Sequence, residues 1–236
     1  MKINVDPSKA EVAKRFSEYL EEEINKSTIF HVALSGGSTP KGVFDYMSEN
    51  AKGTDWSKVH LYWGDERCVA PSDSESNYKM TVDHLLSKIT IPKENIHRVF
   101  GEAEPESEAV RYAKVLDDNL PKELSLPQFD LVILGMGDDG HTASIFPHEI
   151  GLWDSTANCE VAIHPDSGQR RITVTGKIIN NAKTVAFLVT GESKAEKVKT
   201  IIEKEAGHEA YPASLVAPTS DNLIWFLDAD AAAGII

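Results

Sequence analysis

Two cysteines in 236 residues leave little room for disulfide or metal chemistry. Cys68 and Cys159 stand far apart and fit no redox or zinc-binding spacing. They read as small buried hydrophobes in a reducing compartment, and the expected location is the cytoplasm. Positive charge is scarce too: 24 Lys and Arg face 37 Asp and Glu, a net charge of −13. That balance argues against nucleic acid and anionic membrane as partners. No apolar run approaches transmembrane length, and the opening MKINVDPSKAEVAKRF has no apolar core of the signal-peptide kind. Several catalytic signatures are missing. There is no H-x-x-x-H or H-E-x-x-H, so no metal and no cofactor is expected, and no G-x-S-x-G elbow for a nucleophilic serine. Repeats, linkers and low-complexity stretches are also lacking.

What is present is an ordinary globular composition, 41% hydrophobic and 26% charged, long enough to bury a proper core. Asp6-Pro7 reads as the start of a helix whose apolar face is Val12, Phe16, Leu20 and Ile24. Short apolar runs read as strands at 29–34, 59–63, 96–100, 131–134, 159–163, 171–175, 184–189 and 223–227. Helices are expected from Pro40, from Ser76, around Pro105, and between Lys194 and Glu205. Glu104, Glu106 and Glu108 read as a solvated helix start, and the tail 229–236 as packed or frayed. This alternation predicts a single α/β domain over 1–236, Rossmann-like, with a mostly parallel sheet flanked by helices.

Ligands of such sheets bind beyond the carboxyl ends of the strands, so the loops there carry the functional expectations. The central one lies in FDLVILGMGDDGHTASIFP, residues 129–147. A buried strand breaks into a glycine loop that holds Asp138, Asp139 and His141. The loop spells G-x-G-x-x-G, but a dinucleotide site is disfavoured. The two aspartates would repel a pyrophosphate, and Pro147 leaves no room for a long crossover helix. An imidazole flanked by carboxylates is instead the expected centre of chemistry. Ser35-Gly36-Gly37-Ser38-Thr39, between a strand and a helix, is a candidate anion site without the Walker spacing or its lysine. The plain alternative is a turn capped by Thr39. Asp65, Glu66 and Arg67 follow the second strand; an Asp65–Arg67 surface ion pair is their ordinary reading. Lys194 occupies a helix first turn, where the dipole disfavours a cation unless an anion is near.

In sequence order, SGGSTP, GDER-C-V, GMGDDGHTASIFP, RITVT, NNAKTVAFLVTGESKAEKV and YPASLV resemble the 6-phosphogluconolactonases, from about residue 30 to residue 227. The family also includes glucosamine-6-phosphate deaminases and isomerases, which implies a fold of the glucosamine-6-phosphate deaminase-like type. The deaminase pattern carries an acid where this chain has Phe146, so the resemblance favours the hydrolase. Ala70 between Val69 and Pro71 is a small departure from the lactonase pattern.

The implied reaction is hydrolysis of 6-phospho-D-glucono-1,5-lactone to 6-phosphogluconate in the oxidative pentose phosphate pathway. His141 suits the general base and Asp139 its orienting partner. Glycine-loop amides or Arg67 could stabilise the oxyanion, a choice the residues leave open. Ser35, Gly36, Gly37, Ser38 and Thr39 are assigned to the phosphate, with Arg171 and Lys194 supplying charge. Arg170 rivals Arg171, which the resemblance favours. Asp65 is a site residue of open role, with a sugar hydroxyl as one candidate contact. The expected partner is a small sugar phosphate lactone, with no nucleic acid, no membrane and a monomeric chain. Three rivals stand beside this reading: a deaminase or isomerase, a non-catalytic sugar-phosphate sensor, and Ser144 as nucleophile.

Overall fold

The computed structural model describes residues 1–235. It opens with a strand, β1 (Lys2–Asp6), rather than with the helix start that Asp6-Pro7 predicts. Asp6 is the strand's last residue, and its carboxylate accepts from Arg15 Nε at 2.8 Å. Helix α1 (Lys9–Lys26) begins after Ser8, whose hydroxyl accepts from Glu11 N. Its face of Val12, Phe16, Leu20 and Ile24 is buried, as the four-residue spacing requires. Strand β2 (Phe30–Leu34) leads into α2 (Ser38–Asn50), and β3 (Val59–Trp63) into the short β4 (Asp65–Arg67). Helix α3 (Asn77–Thr81), capped by the Ser76 hydroxyl, continues as a wider turn over Val82–Leu86.

Helix α4 (Pro105–Asn119) is followed by a small hairpin, β5 (Lys122–Glu123) and β6 (Leu126–Pro127). Strand β7 (Leu131–Leu134) carries the histidine loop, after which Pro147–Asp154 forms 3-10 turns. Strands β8 (Cys159–Ile163) and β9 (Arg170–Val174) pair with each other before α5 (Gly176–Asn180). Strand β10 (Val185–Val189) precedes a 3-10 turn, Glu192–Lys194, that runs into α6 (Ala195–Ile202). A 3-10 turn at Pro212–Leu215 and strand β11 (Leu223–Asp228) complete the order.

Six strands form one parallel sheet in the order β1-β11-β10-β7-β2-β3. Its central strands β2, β7 and β10 are buried along their whole length, as a sheet covered on both faces demands. From β2 the chain proceeds to β3 on one side; from β7 it proceeds to β10 on the other. The strand order therefore reverses between β2 and β7, where the two following loops part and leave a crevice. A second, antiparallel sheet, β4-β9-β8, lies beyond β3. It starts where Gly64 N donates to Leu34 O and Gly64 O accepts from Val174 N, so the small sheet is tied to the carboxyl end of the large one.

Two further expectations are corrected. Residues 96–100 make only a single bridge, Ile96 to Leu61, and are not a strand. The ladder would next need Trp63, but its N–H and carbonyl are both taken by the Tyr112 hydroxyl, and further along Phe100 N donates to Glu108 Oε1 at 2.7 Å. Glu108 is accordingly buried, not solvated, and it also holds Arg111. In the tail, Ala231 and Ala232 are fully buried, while Ile236 lies outside the described residues. No helix among the described residues is long and apolar enough to cross a membrane.

Candidate active site

The crevice at the β2/β7 switch point opens into a cavity of about 240 Å³. Every residue assigned to the site from the sequence lines it except Asp139, which holds one that does. Three walls build it: the loop after β2, the loop after β7, and the antiparallel pair β4–β9 together with the loop after β10.

The first wall is Ser35 to Pro40. Gly37 is the N-cap of α2, with φ of 102°, and no side chain caps the helix. Thr39 lies inside the helix, and its hydroxyl meets that of Thr190 at 2.8 Å, so it is not the cap. The first-turn amides of a thirteen-residue helix thus lack a side-chain acceptor at the cavity edge, where the dipole adds partial positive charge.

The second wall carries His141. Its Nδ1 lies 2.6 Å from Asp139 Oδ1, and its backbone N–H donates to the same oxygen at 3.1 Å. Nδ1 is thereby engaged, and Nε2 is the ring nitrogen left for a ligand. Burial works to raise the Asp139 carboxyl, but the hydrogen bond and charge of His141 outweigh it and hold the group down at about 2. The loop's glycines act in different ways. Gly140 has φ of 81°, and Tyr211 packs against its Cα. Gly137 is needed for close approach: a Cβ there would fall 2.1 Å from His141 Nδ1. Phe146 is fully buried with its ring 4.6 Å from that of His141, so no carboxylate stands at this position.

The third wall holds the charges. Arg67 and Arg171 are direct partners across β4 and β9, and both reach the cavity. Arg171 is 9% exposed, donates from Nε to Gln169 Oε1 at 3.2 Å, and lies over the Phe146 ring at 5.5 Å. Burial and then the nearby Arg67 lower its pKa. Arg170 turns the other way, to Glu106. Arg67 donates to Glu75 O and makes no ion pair with Asp65. Asp65 instead accepts a 2.5 Å hydrogen bond from Ser144 Oγ, and the Asn77 amide donates to its carbonyl at 3.0 Å. Ser144 is wholly buried and committed to that bond, so it is unavailable as a nucleophile. Lys194 lines the cavity, and the anion its position calls for is Asp138, 2.6 Å away.

Two polar lining residues escaped the sequence reading, Asn77 and Thr190. Asn77 packs so closely on Gly36 that a Cβ there would meet its amide oxygen at 1.9 Å. The available signal for Asn77 was its place at a capped helix start; for Thr190, its place directly after β10.

Residues 5–225 match the family described as glucosamine-6-phosphate isomerases/6-phosphogluconolactonase. A 6-phosphogluconolactonase of Treponema pallidum is 41% identical over 202 residues, covering 85% of this chain and 84% of the relative. The solved structure of a protein named devB is 40% identical, with a TM-score of 0.94, and covers 100% of this chain and 99% of that one. A monomeric glucosamine-6-phosphate deaminase, 21% identical over 99% of this chain and 100% of its own, has a TM-score of 0.84 and shows the shared fold alone. Cavity, fold and likeness converge: the chain belongs to the glucosamine-6-phosphate isomerase/6-phosphogluconolactonase family.

Proposed function

We propose that this chain hydrolyses 6-phospho-D-glucono-1,5-lactone to 6-phosphogluconate, the lactonase step of the oxidative pentose phosphate pathway, with His141 as general base. The observation that carries the reading is the His141–Asp139 pair, which shares one small cavity with an uncapped helix start and three cations. Asp139 holds the Nδ1 proton, and Nε2 takes a proton from water. The hydroxide equivalent adds to the lactone carbonyl, and the tetrahedral oxyanion forms. Arg67 or the glycine-loop amides supply its counter-charge. Collapse breaks the bond to the ring oxygen, which leaves with the proton that His141 took. The phosphate is assigned to Ser35, Gly36, Gly37, Ser38 and Thr39, with Arg171 and Lys194. The pairing of Arg170 with Glu106 supports Arg171 over Arg170 in that role. We read Asp65, held by Ser144, as the acceptor for a sugar hydroxyl.

Phe146 argues against deamination or isomerisation, since an apolar ring supplies no second proton-transfer group. We further read the chain as a monomer of the cytoplasm, in keeping with two free cysteines and a net charge of −13.

The test is turnover of freshly generated 6-phosphogluconolactone, followed by base uptake, for the wild type and His141→Ala. The variant should lose roughly 10²–10⁴-fold in kcat and keep its KM. Activity that survives in the variant discards the base assignment. A wild type that binds 6-phosphogluconate but turns nothing over points to a sensor.

A further inference from the structure

Lys194 does not face the cavity unopposed. Asp138 Oδ1 lies 2.6 Å from its ammonium and also accepts from Ser193 Oγ at 3.1 Å. The two partners differ in setting: the Lys194 side chain is 20% exposed, that of Asp138 72%. The cation lines the cavity, whereas the carboxylate does not and stands mostly in solvent. Among the described residues, neither Arg67 nor Arg171 has a carboxylate partner. Of the three cations in the cavity, only Lys194 has a carboxylate partner among the described residues.

Asp138 takes no part in holding the base, which is the work of Asp139. Both its contacts instead reach across to the loop after β10. A phosphate dianion approaching Lys194 meets an ammonium already occupied. Two anions on one ammonium repel, so the carboxylate has to yield. Its exposure makes that inexpensive, because water receives the released charge.

We propose that Asp138 sets the site's affinity for phosphorylated ligands by competing with their phosphate for Lys194. The inference rests on the lactonase reading for its purpose and on the ion pair for its mechanism. Hydrolysis adds water across the ester and yields a carboxylic acid that ionises. The product therefore leaves with one more negative charge than the substrate brought. A tethered carboxylate that reoccupies Lys194 favours that departure. Asp138 acts only through Lys194, as a positioning residue, and never touches the reacting bond.

Asp138→Asn removes the charge and keeps an acceptor for Ser193. Calorimetry with inorganic phosphate and with 6-phosphogluconate measures affinity without turnover. Steady-state kinetics give KM and kcat for the phosphorylated lactone, and kcat/KM for glucono-1,5-lactone, which lacks the phosphate. Both dissociation constants and KM should fall about two- to fivefold, the size expected of a partly exposed ion pair. The preference for the phosphorylated lactone, as a ratio of kcat/KM, should rise by the same factor. Added salt should shrink these differences.

Unchanged phosphate affinity overturns the proposal, and so does weaker binding, which would mean that Asp138 holds Lys194 in place for phosphate. Either result, in a protein that still hydrolyses the lactone, leaves the lactonase reading intact. Tighter phosphate binding by Asp138→Asn in a protein inactive on the lactone would do the reverse. A wild type with no affinity for phosphate sinks the competition outright.

Discussion

At the scale of single residues, the identity of the Asp139 carboxylate decides which face the base shows its substrate. Held down at about 2, it is ionised wherever the enzyme works, and an ionised carboxylate only accepts. Nδ1 must then carry the proton, and in the neutral ring the lone pair falls on Nε2, the nitrogen that Asp139 leaves free. Asp139→Asn keeps the shape and loses the charge, and its amide N–H₂ can now donate to Nδ1. That favours the tautomer whose Nε2 is protonated and cannot act as base. We expect kcat to fall roughly 10²-fold or more with KM changed less than threefold, measured on fresh lactone. Near-normal kcat would show that the hydrogen bond orients nothing that matters. His141 and Asp139 were legible as a pair because a glycine loop after a buried strand has few reasons to gather an imidazole and carboxylates. The reason for Gly137 was not legible. Its role is close approach to the pair, not a left-handed backbone, and only the packed site reveals it.

At the scale of elements, the short strand β4 shows how a period of two divides labour. Asp65 and Arg67 line the cavity, and Glu66 between them points the opposite way. There its buried carboxylate accepts from four donors: Arg67 N, Asn77 N and Tyr78 N at 2.7–2.8 Å, and Ser76 Oγ at 3.1 Å. Burial pushes its pKa up, while the three backbone hydrogen bonds oppose the rise. Glu66 thus anchors the first turn of α3 and with it Asn77, which packs on Gly36. Glu66→Ala would leave those buried amides unpaired, at a cost of about 3 kcal/mol in urea unfolding, and Glu66→Gln about half that. An alanine variant with unchanged stability would refute the anchoring role. None of this could be read from GDER, because a three-residue strand has too little periodicity and its partner β9 lies over a hundred residues away. The long, strongly patterned elements were legible for the opposite reason. Strands β3 and β7 and the apolar face of α1 are dictated by their own side chains.

At the scale of the whole molecule, the parallel sheet separates two ends with different chemistry. The carboxyl ends gather the cavity; the amino ends of β2 and β3 gather imidazoles. His31 and His60 stand side by side across β2 and β3, with ring centroids 4.9 Å apart. His97 stacks on Tyr62 at 4.4 Å, and its Nε2 meets His60 Nδ1 at 3.2 Å. Asp130, which accepts from His31 N, is paired with Lys183 and so offers the cluster little compensating charge. Burial, reinforced by His60, lowers both His31 and His97 to about 4. In the unfolded chain each titrates near 6.5, so the unfolded state binds more protons between pH 6.5 and 4. Their contribution to stability is complete above pH 6.5 and is lost as pH falls through that window. If the chain unfolds as one domain, urea should reveal a single transition. Full linkage of two such shifts amounts to about 4 kcal/mol between pH 7.5 and pH 5; solvent screening of these half-buried rings reduces it, so the free energy should be about 2–4 kcal/mol lower at pH 5. Carboxylates add a slope of their own, so the decisive comparison is with His31→Asn and His97→Gln combined. That variant should show a visibly flatter dependence on pH between 7.5 and 5, whatever its absolute stability. The same slope in both proteins would mean that the imidazoles are already charged in the fold, and that the cluster at the amino ends is hydrated rather than dry.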